Sequence, residues 1–226
     1  LSDPMVVGQN FDFNITFKPT LAFVSHKVAN NPWIFSLRMG ACLSLPAGIN
    51  EYKVSAFINI IKSNIMAEYT TPSGLRTRNA FCEADSAEKF YSLIEKRHKP
   101  AGYNMLIADS EHLIAVQAHP QDHIRRNIRE WWVSSNTYTH PEFQRYLLEP
   151  EYSKHRQVYT ETRVEQEFSL GINENRLMSV LADSPIISRN RKNPFESQTL
   201  AFITRKHFGI GNPTDHPHGI LPKKYR

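Results

Sequence analysis

Short apolar runs separated by turn residues set the pattern of this chain. Runs rich in Val, Ile, Phe and Trp predict the strands of a first sheet at residues 4–9, 20–28, 33–40 and 52–61. Two more runs, at 103–108 and 112–118, flank Asp-Ser-Glu and predict a hairpin of a second sheet. Further strands are predicted at 131–136, 198–204 and 206–210, the last two forming a closing hairpin.

Helical spacing appears between and after these strands. A short helix is predicted at 75–83, after the break at Pro72-Ser73-Gly74. A clearer helix begins at residue 85 and ends near Arg97, because Phe90, Leu93 and Ile94 are spaced for one buried face. The segments 151–166 and 173–182 are also predicted to be helical. Strands in two groups, with helices between and after them, favour an α+β fold arranged as an αββα sandwich of two mainly antiparallel sheets.

Composition places the chain among ordinary globular proteins. It has 226 residues, of which 40% are hydrophobic and 22% charged, and residues 1–226 are predicted to form a single domain. No apolar run is long enough to span a membrane, and the two cysteines, Cys42 and Cys82, could form at most one disulfide. We therefore expect a soluble protein of a reducing compartment such as the cytoplasm. Because the chain begins with Leu1, we also expect processing or truncation.

The net charge of +5 permits anionic partners, but the basic residues are only partly clustered. The clusters lie at 96–99, 125–129 and 223–226. Solvated basic surfaces are the interpretation we favour, and acidic ligands such as the phosphates of coenzyme A are the alternative. A nucleic-acid-binding module is not favoured, since it would need a continuous basic stripe with exposed aromatic residues.

Four blocks of residues carry the candidate chemistry. They are the string Gly8-Gln9-Asn10-Phe11-Asp12-Phe13, the stretch 48–59 ending at Asn59, the stretch Ser134-Ser135-Asn136, and Ile187-Ser188-Arg189. Taken singly, each has a structural interpretation: Asn10 and Asp12 can shape a turn, and Arg189 can be a loop charge. Asn59 lies in an apolar strand and must be satisfied, either by a reacting oxyanion or by the backbone.

In order and spacing these four blocks resemble the acyl-coenzyme A:isopenicillin N acyltransferase family. That family stands with choloylglycine hydrolases and acid ceramidase-like amidases among the N-terminal nucleophile hydrolases. Gln9 favours the acyltransferase branch, since the hydrolases usually carry Arg at this position. The resemblance implies a mature subunit that starts with Cys-Thr, and its register places that cysteine shortly upstream of Leu1. The nucleophile is then absent from this chain.

The resemblance also implies the role of each candidate residue. The nucleophile uses its own α-amine as the base, once a precursor has cleaved itself. Asp12 would hold that amine, Arg189 would lower the pKa of the thiol, and Asn59 and Asn136 would donate amide hydrogens to the oxyanion or the amine. Gln9 and Asn10 would bind substrate or support the site.

The predicted function is that of an amide hydrolase or acyltransferase that works through an acyl-thioester and needs no cofactor or metal. Its partners would be a small-molecule amide or acyl-coenzyme A, with a cleaved precursor segment as a possible second subunit. The alternative is a catalytically inactive member of the fold that binds a small acyl or peptidic ligand.

Other candidate chemistry is weaker. Cys42 follows Gly40-Ala41 without the flanking signature of papain-like enzymes, so we interpret it as a small buried thiol. The histidines of the stretch 207–218 are expected in an exposed tail rather than in a closed metal site. The chain also departs from the family at Asn50-Glu51-Tyr52-Lys53, where the usual glycine is missing and the turn must be built differently.

Overall fold

The computed structural model describes residues 5–14, 19–40, 46–65, 71–95, 101–148, 150–183 and 197–205, with side chains omitted at 12–14, 150–152 and 197–205. Several sequence predictions lie outside this description. They concern Cys42, Arg189, the strand at 206–210, the histidines of 207–218 and the side chain of Asp12.

A seven-stranded antiparallel sheet forms the centre of the fold. Its strands, in spatial and chain order, are β2 (Leu21–His26), β3 (Ile34–Met39), β4 (Ala47–Asn50), β5 (Ser55–Ile61), β6 (Gly102–Ala108), β7 (Leu113–His119) and β8 (Asp122–Ile128). A second antiparallel pair joins β1 (Val6–Asn14) to β9 (Ser197–Arg205). The first and last described strands are therefore neighbours in space although they lie far apart in sequence.

Helices cover both outer faces. Between β5 and β6 the chain forms α1 (Ser73–Glu83) and α2 (Ala87–Glu95), which pack on one face of the large sheet. After β8 come α3 (Pro141–Gln144), α4 (Pro150–Ser169) and α5 (Glu174–Ala182), and α5 contacts β1, β9 and α4. None of the helices in the described part combines the length and apolarity needed to cross a bilayer.

Two apolar cores separate the layers. On one face of the large sheet, Ile34, Ile58 and Ile107 pack against α1 and α2. Phe81 of α1 and Phe90 of α2 belong to the same core, and their rings meet edge to face with centroids 4.9 Å apart. On the opposite face, Val7 of β1 packs with Ala47, Phe57 and Ala108. The alternation of strand side chains produces both cores from the same strands. The order helices, large sheet, small sheet, helices confirms the α+β αββα sandwich.

Strand pairing differs from the sequence prediction in two respects. The predicted strand at 4–9 does not join 20–28, because β1 pairs with β9. The hairpin at 103–118 was expected in a second sheet, but β6 pairs with β5 and extends the same sheet. Hydrophobic alternation specifies which face of a strand is buried, not which strand lies beside it.

The sequence prediction missed three elements and wrongly assigned one strand. The missed elements are β4, β8 and α3. β8 is an edge strand in which Arg125, Arg126 and Asn127 interrupt the apolar pattern, as edge strands tolerate. Residues 131–136 are irregular rather than a strand. Side-chain amides, described below, satisfy the backbone groups that strand pairing would otherwise engage.

The turn that lacks glycine is built around Asn50. The fully buried Asn50 Nδ2 donates to the carbonyls of Phe81 (3.1 Å) and Ala84 (2.6 Å), and its Oδ1 accepts from Val54 N (3.0 Å). Lys53 adopts the left-handed conformation, at φ 65°, that glycine would occupy more easily. Asn50 thus fixes the turn and binds the end of α1 to the sheet.

The start of α2 is satisfied from the β6–β7 hairpin. Asp109 Oδ2 accepts from Ala87 N at 2.8 Å, and its Oδ1 accepts from the N–H groups of Glu111 and His112, both at 2.7 Å. Burial alone would raise the pKa of Asp109, but these three N–H bonds and the neighbouring His112 lower it below its usual value. The ionised carboxylate therefore stabilises the folded state.

We expect Asp109→Asn to destabilise the protein by about 1–2 kcal/mol at neutral pH, as for loss of a helix cap. Because the folded pKa is depressed, the stabilisation is complete above the unfolded pKa of about 3.9 and is lost as pH falls through the folded pKa. Urea unfolding from pH 7 to pH 3 should show the two proteins converging at low pH. A difference that stays constant with pH would contradict the role of charge. Glu165→Gln, at an exposed position of α4, removes a carboxylate without such bonds and is the control.

Candidate functional site

Three amide side chains lie side by side on the face of the large sheet that points toward β1. Asn59 of β5 pairs with Asn104 of β6, which pairs with Gln117 of β7. Partners directly opposite each other on neighbouring strands share a face. Asn104 and Gln117 are buried, and Asn59 is partly buried. We call Asn59, Asn104 and Gln117 the amide row.

The amide row binds the backbone of residues 131–140, which we call the crossing segment. Asn59 Nδ2 donates to the carbonyl of Ser134 at 2.9 Å. Asn104 Nδ2 donates to the carbonyls of Ser135 and Thr137 at 2.7 and 2.8 Å. The crossing segment therefore follows the amide row from one strand to the next, because each strand contributes the side chain that satisfies the residues above it.

The far end of the crossing segment is held in the same way. Gln117 Oε1 accepts from the backbone N–H groups of residues 139 and 140, at 3.3 and 3.0 Å. Between these contacts, the buried Tyr138 donates its hydroxyl to the carbonyl of Ala118 at 2.9 Å. The tyrosine ring occupies the space over Gly102, where a Cβ atom would overlap its hydroxyl. Glycine at 102 is thus required by close packing.

Helix α4 contacts the crossing segment from another side. The buried Gln157 accepts from Ser135 N at 2.8 Å and donates to the carbonyl of Val133 at 2.9 Å. Gln157 also donates to Glu161 at 2.8 Å, one turn further along the helix. The irregular backbone is therefore fixed between strands and helix, although it pairs with no strand there.

Gln9 connects β1 to the amide row. Its Nε2 donates to Asn59 Oδ1 at 2.7 Å and to the carbonyl of Ile58 at 2.8 Å. Gln9 is 5% exposed, and its Oε1 is buried with no partner among the described residues. The adjacent Asn10 donates to the carbonyl of Leu181 in α5 at 2.8 Å. The two neighbours thus anchor β1 on opposite sides, as strand alternation requires.

Asn136 reaches the same stretch of β5 from the crossing segment. Its Nδ2 donates to the carbonyl of Ile60 at 2.8 Å, and its Oδ1 accepts from Arg156 Nη2 at 2.8 Å. A primary amide carries two N–H donors. Asn59 and Asn136 each use one in the bonds above, so within the described part of the chain each has one N–H left for a ligand. The structure thus orients two amide donors at residues 58–60 of β5.

The predicted site residues fall into two groups. Gln9 and Asn136 both bond to residues 58–60 of β5, which include Asn59, and Asn10 lies next to Gln9 on the other face of β1. The backbone of Asp12 pairs with Thr199 in the β1–β9 sheet. The side chain of Asp12 and all of Arg189 lie outside the described residues, so their roles stay predictions.

Sequence reasoning missed four residues of this arrangement: Asn104, Gln117, Arg156 and Gln157. Two of them carried a signal. Asn104 and Gln117 interrupt the apolar strands YNMLIA and LIAVQAH, and a polar amide in such a strand needs a partner, as was argued for Asn59. Arg156 and Gln157 lie in a charged helix, where nothing in the sequence distinguishes them from exposed residues.

No protein-family model and no curated protein matches this chain. Solved structures resemble it at low identity. A Caenorhabditis elegans ortholog of N-acylethanolamine-hydrolyzing acid amidase aligns with a TM-score of 0.64 and 12% identity, over 88% of this chain and 86% of that one. Penicillin V acylase from Agrobacterium tumefaciens aligns with a TM-score of 0.57 and 13% identity, over 88% and 75%.

A third similar structure is a mutant form of conjugated bile acid hydrolase from Clostridium perfringens. Its TM-score is 0.52, with 10% identity over 89% of this chain and 78% of that one. These proteins have the N-terminal nucleophile hydrolase fold, and this chain shares that fold. At such identities the likeness establishes the architecture alone.

We expect Asn104→Ala to destabilise the protein by about 2–4 kcal/mol, because two buried carbonyls lose their donor. Backbone amides of the crossing segment should also exchange hydrogen faster, and by a larger factor than those of α1, which follow the global loss of stability. Asn79→Ala, at an exposed position of α1, is the control and should cost nothing measurable. Unchanged stability and exchange in Asn104→Ala would mean that the crossing segment holds itself in place.

Proposed function

We propose that this chain is the scaffold of an enzyme that cleaves N-acyl or peptide-like amides through an N-terminal nucleophile. The observation that carries the proposal is the meeting of Gln9, Asn59 and Asn136 beside the first strand, with amide donors to spare. The fold supports it, since its structural neighbours are an acid amidase, a penicillin V acylase and a bile acid hydrolase.

The nucleophile in this proposal is a cysteine shortly upstream of Leu1. Cleavage of a precursor frees its α-amine, which then serves as the base that accepts the thiol proton. The cleaved segment can stay bound as a second subunit. The anchoring of β1 supports this arrangement, because Gln9 fixes the strand on β5 and thereby limits where residues upstream of it can lie.

The reaction begins when the thiolate attacks the carbonyl carbon of the amide. Negative charge develops on the carbonyl oxygen, and the free N–H groups of Asn59 and Asn136 stabilise it. The terminal ammonium returns its proton to the amide nitrogen, the C–N bond breaks, and an amine leaves behind an acyl-thioester. Water then completes hydrolysis, or a second amine accepts the acyl group. One oriented donor of this kind is typically worth about 10² to 10³ in rate.

Neighbouring groups prepare the donors. Arg156 holds Asn136 Oδ1, which orients the amide and draws electron density from it, so that the remaining N–H becomes a stronger donor. Gln9 does the same for Asn59. Asp12 and Arg189 complete the proposed site: the carboxylate holds the terminal amine, and the guanidinium favours the thiolate.

The direct test is to express the full reading frame and to measure the mass of the product by mass spectrometry. We expect self-cleavage immediately before a cysteine, and hydrolysis of at least one of an N-acylethanolamine, penicillin V or a conjugated bile acid. Replacing that cysteine by alanine should abolish both. An uncleaved protein that binds these compounds without turning them over would instead identify the inactive ligand-binding member of the fold.

We expect Asn136→Ala in the mature enzyme to lower kcat about 10² to 10³-fold with little change in KM or in melting temperature. Asp12→Asn and Arg189→Ala should abolish turnover while leaving circular dichroism unchanged. Asn64→Ala, an exposed asparagine just beyond β5, is the matched control and should keep full activity. Wild-type kcat in any of the three site variants would remove that residue from the mechanism.

A further inference from the structure

Three basic side chains gather on the helix-covered face of the large sheet, away from the amide row. His26 comes from β2, Arg38 from β3 and Arg78 from α1. The Phe81 ring, one turn after Arg78 in α1, and Ser36 of β3 both lie beside Gly48, which places this part of α1 over β3. Arg38 Nη2 lies 3.2 Å from His26 Nε2. An arginine can only donate, so His26 accepts this bond through Nε2 and orients the guanidinium.

The side of the sheet follows from strand register. His26 is paired with Ile34, which belongs to the core beneath α1 and α2. The next residue, Phe35, belongs to the core between the two sheets. Successive strand residues alternate, so His26 and Arg38 lie on the α1 side and the amide row lies on the other. A ligand here would not compete with an amide substrate.

The positive charge of this cluster is not neutralised by an ion pair within the described residues. Arg38 Nε and Arg78 Nε are buried and lack a hydrogen-bond partner in the described part of the chain. The carboxylates that the structure describes in ion pairs bind other cations than these two arginines. A buried charged donor without a partner is costly. The cluster is therefore suited to an anion from outside the chain.

The pKa of His26 reflects the positive charge of this cluster. Burial lowers the pKa of His26 below its usual value, and the positive charges of Arg38 and Arg78 lower it further, while a hydrogen bond with the backbone of Val24 opposes them. The charged neighbours that act on this imidazole are cations. The cluster therefore has a positive local potential.

We propose that Arg38 and Arg78 form a binding site for a phosphate-type oxyanion. A guanidinium presents Nε and Nη hydrogens as a fork that matches two oxygens of phosphate or sulfate. Two such groups, one held by His26, could neutralise a dianion that neither neutralises alone. β2 is the end strand of the sheet, so a phosphate carried on a larger molecule can extend past the edge.

Calorimetric titration of the purified chain tests this directly. The ligands are inorganic phosphate, sulfate and phenyl phosphate at constant ionic strength, with acetate as a monoanion for comparison. We expect saturable binding of phosphate and sulfate, and weak or undetectable binding of acetate. Phenyl phosphate that binds as well as phosphate identifies a site for phosphate esters; exclusion of phenyl phosphate identifies a site for the free ion. Either result supports the oxyanion site.

Variants locate the binding. Arg38→Gln and Arg78→Gln should each weaken the phosphate Kd about tenfold or more, as expected for loss of a charge-assisted bond. Arg129→Gln removes an exposed arginine and should leave the Kd unchanged. Arg78→Lys keeps the charge without the forked guanidinium, so its phosphate Kd should lie between those of the wild type and Arg78→Gln. The imidazole resonances of His26 should move on titration in the wild type and much less in Arg78→Gln.

Three outcomes would overturn the proposal. One is the absence of saturable phosphate binding. Another is an equal loss of affinity in Arg129→Gln, which would indicate diffuse surface charge. The third is a clear fall in melting temperature in Arg78→Gln without any added anion, because that guanidinium would then already be paired within the chain.

Discussion

The structure around the site depends on one constraint: primary amides enclosed on the face of a sheet must be hydrogen-bonded. Strand pairing uses backbone groups and leaves the side chains of Asn59, Asn104 and Gln117 unsatisfied. A backbone that pairs with no strand can supply the partners of these amides, because its own carbonyls and N–H groups also need hydrogen bonds. The crossing segment at 131–140 is such a backbone. The two satisfy each other in part, through Asn104 Nδ2 and Gln117 Oε1, and these bonds account for the irregular path of the segment. Asn104 Oδ1 and Gln117 Nε2 stay buried without a partner among the described residues.

The same constraint links folding to the proposed chemistry. Asn136 belongs to the crossing segment, so its position over β5 is set by bonds made at neighbouring residues rather than by its own flexibility. Preorganised donors are effective because little reorganisation is left for the moment of reaction. Gln9 adds the first strand to the network through the other side of Asn59. Architecture shared with known amidases and a local polar network thus converge on one stretch of β5.

The sequence was enough to predict the fold class and to select Gln9, Asn59 and Asn136, which the structure brings close together, but not the strand pairings. Most strands within 20–61 and 103–118 were predictable, since burial of a strand produces a recognisable run of apolar residues. The partnership of β1 with β9 left none, because contact between distant segments is a tertiary property. Asn59 was recognisable as a polar residue among isoleucines. Its partner at Ser134 was not, because an acceptor carbonyl has no sequence signature. Residues 131–136 were wrongly predicted to be a strand, because the sequence does not show that side-chain amides, rather than a neighbouring strand, bind their backbone.

The opposed anchoring of Gln9 and Asn10 restricts how sequences with this arrangement can vary in length. Gln9 is bound to β5 and Asn10 to α5, so the loss or gain of one residue within β1 would send each side chain to the wrong layer. Changes of length are therefore tolerable only outside the strand. In evolution, the length of β1 around Gln9 and Asn10 should therefore stay constant, while loops elsewhere remain free to lengthen.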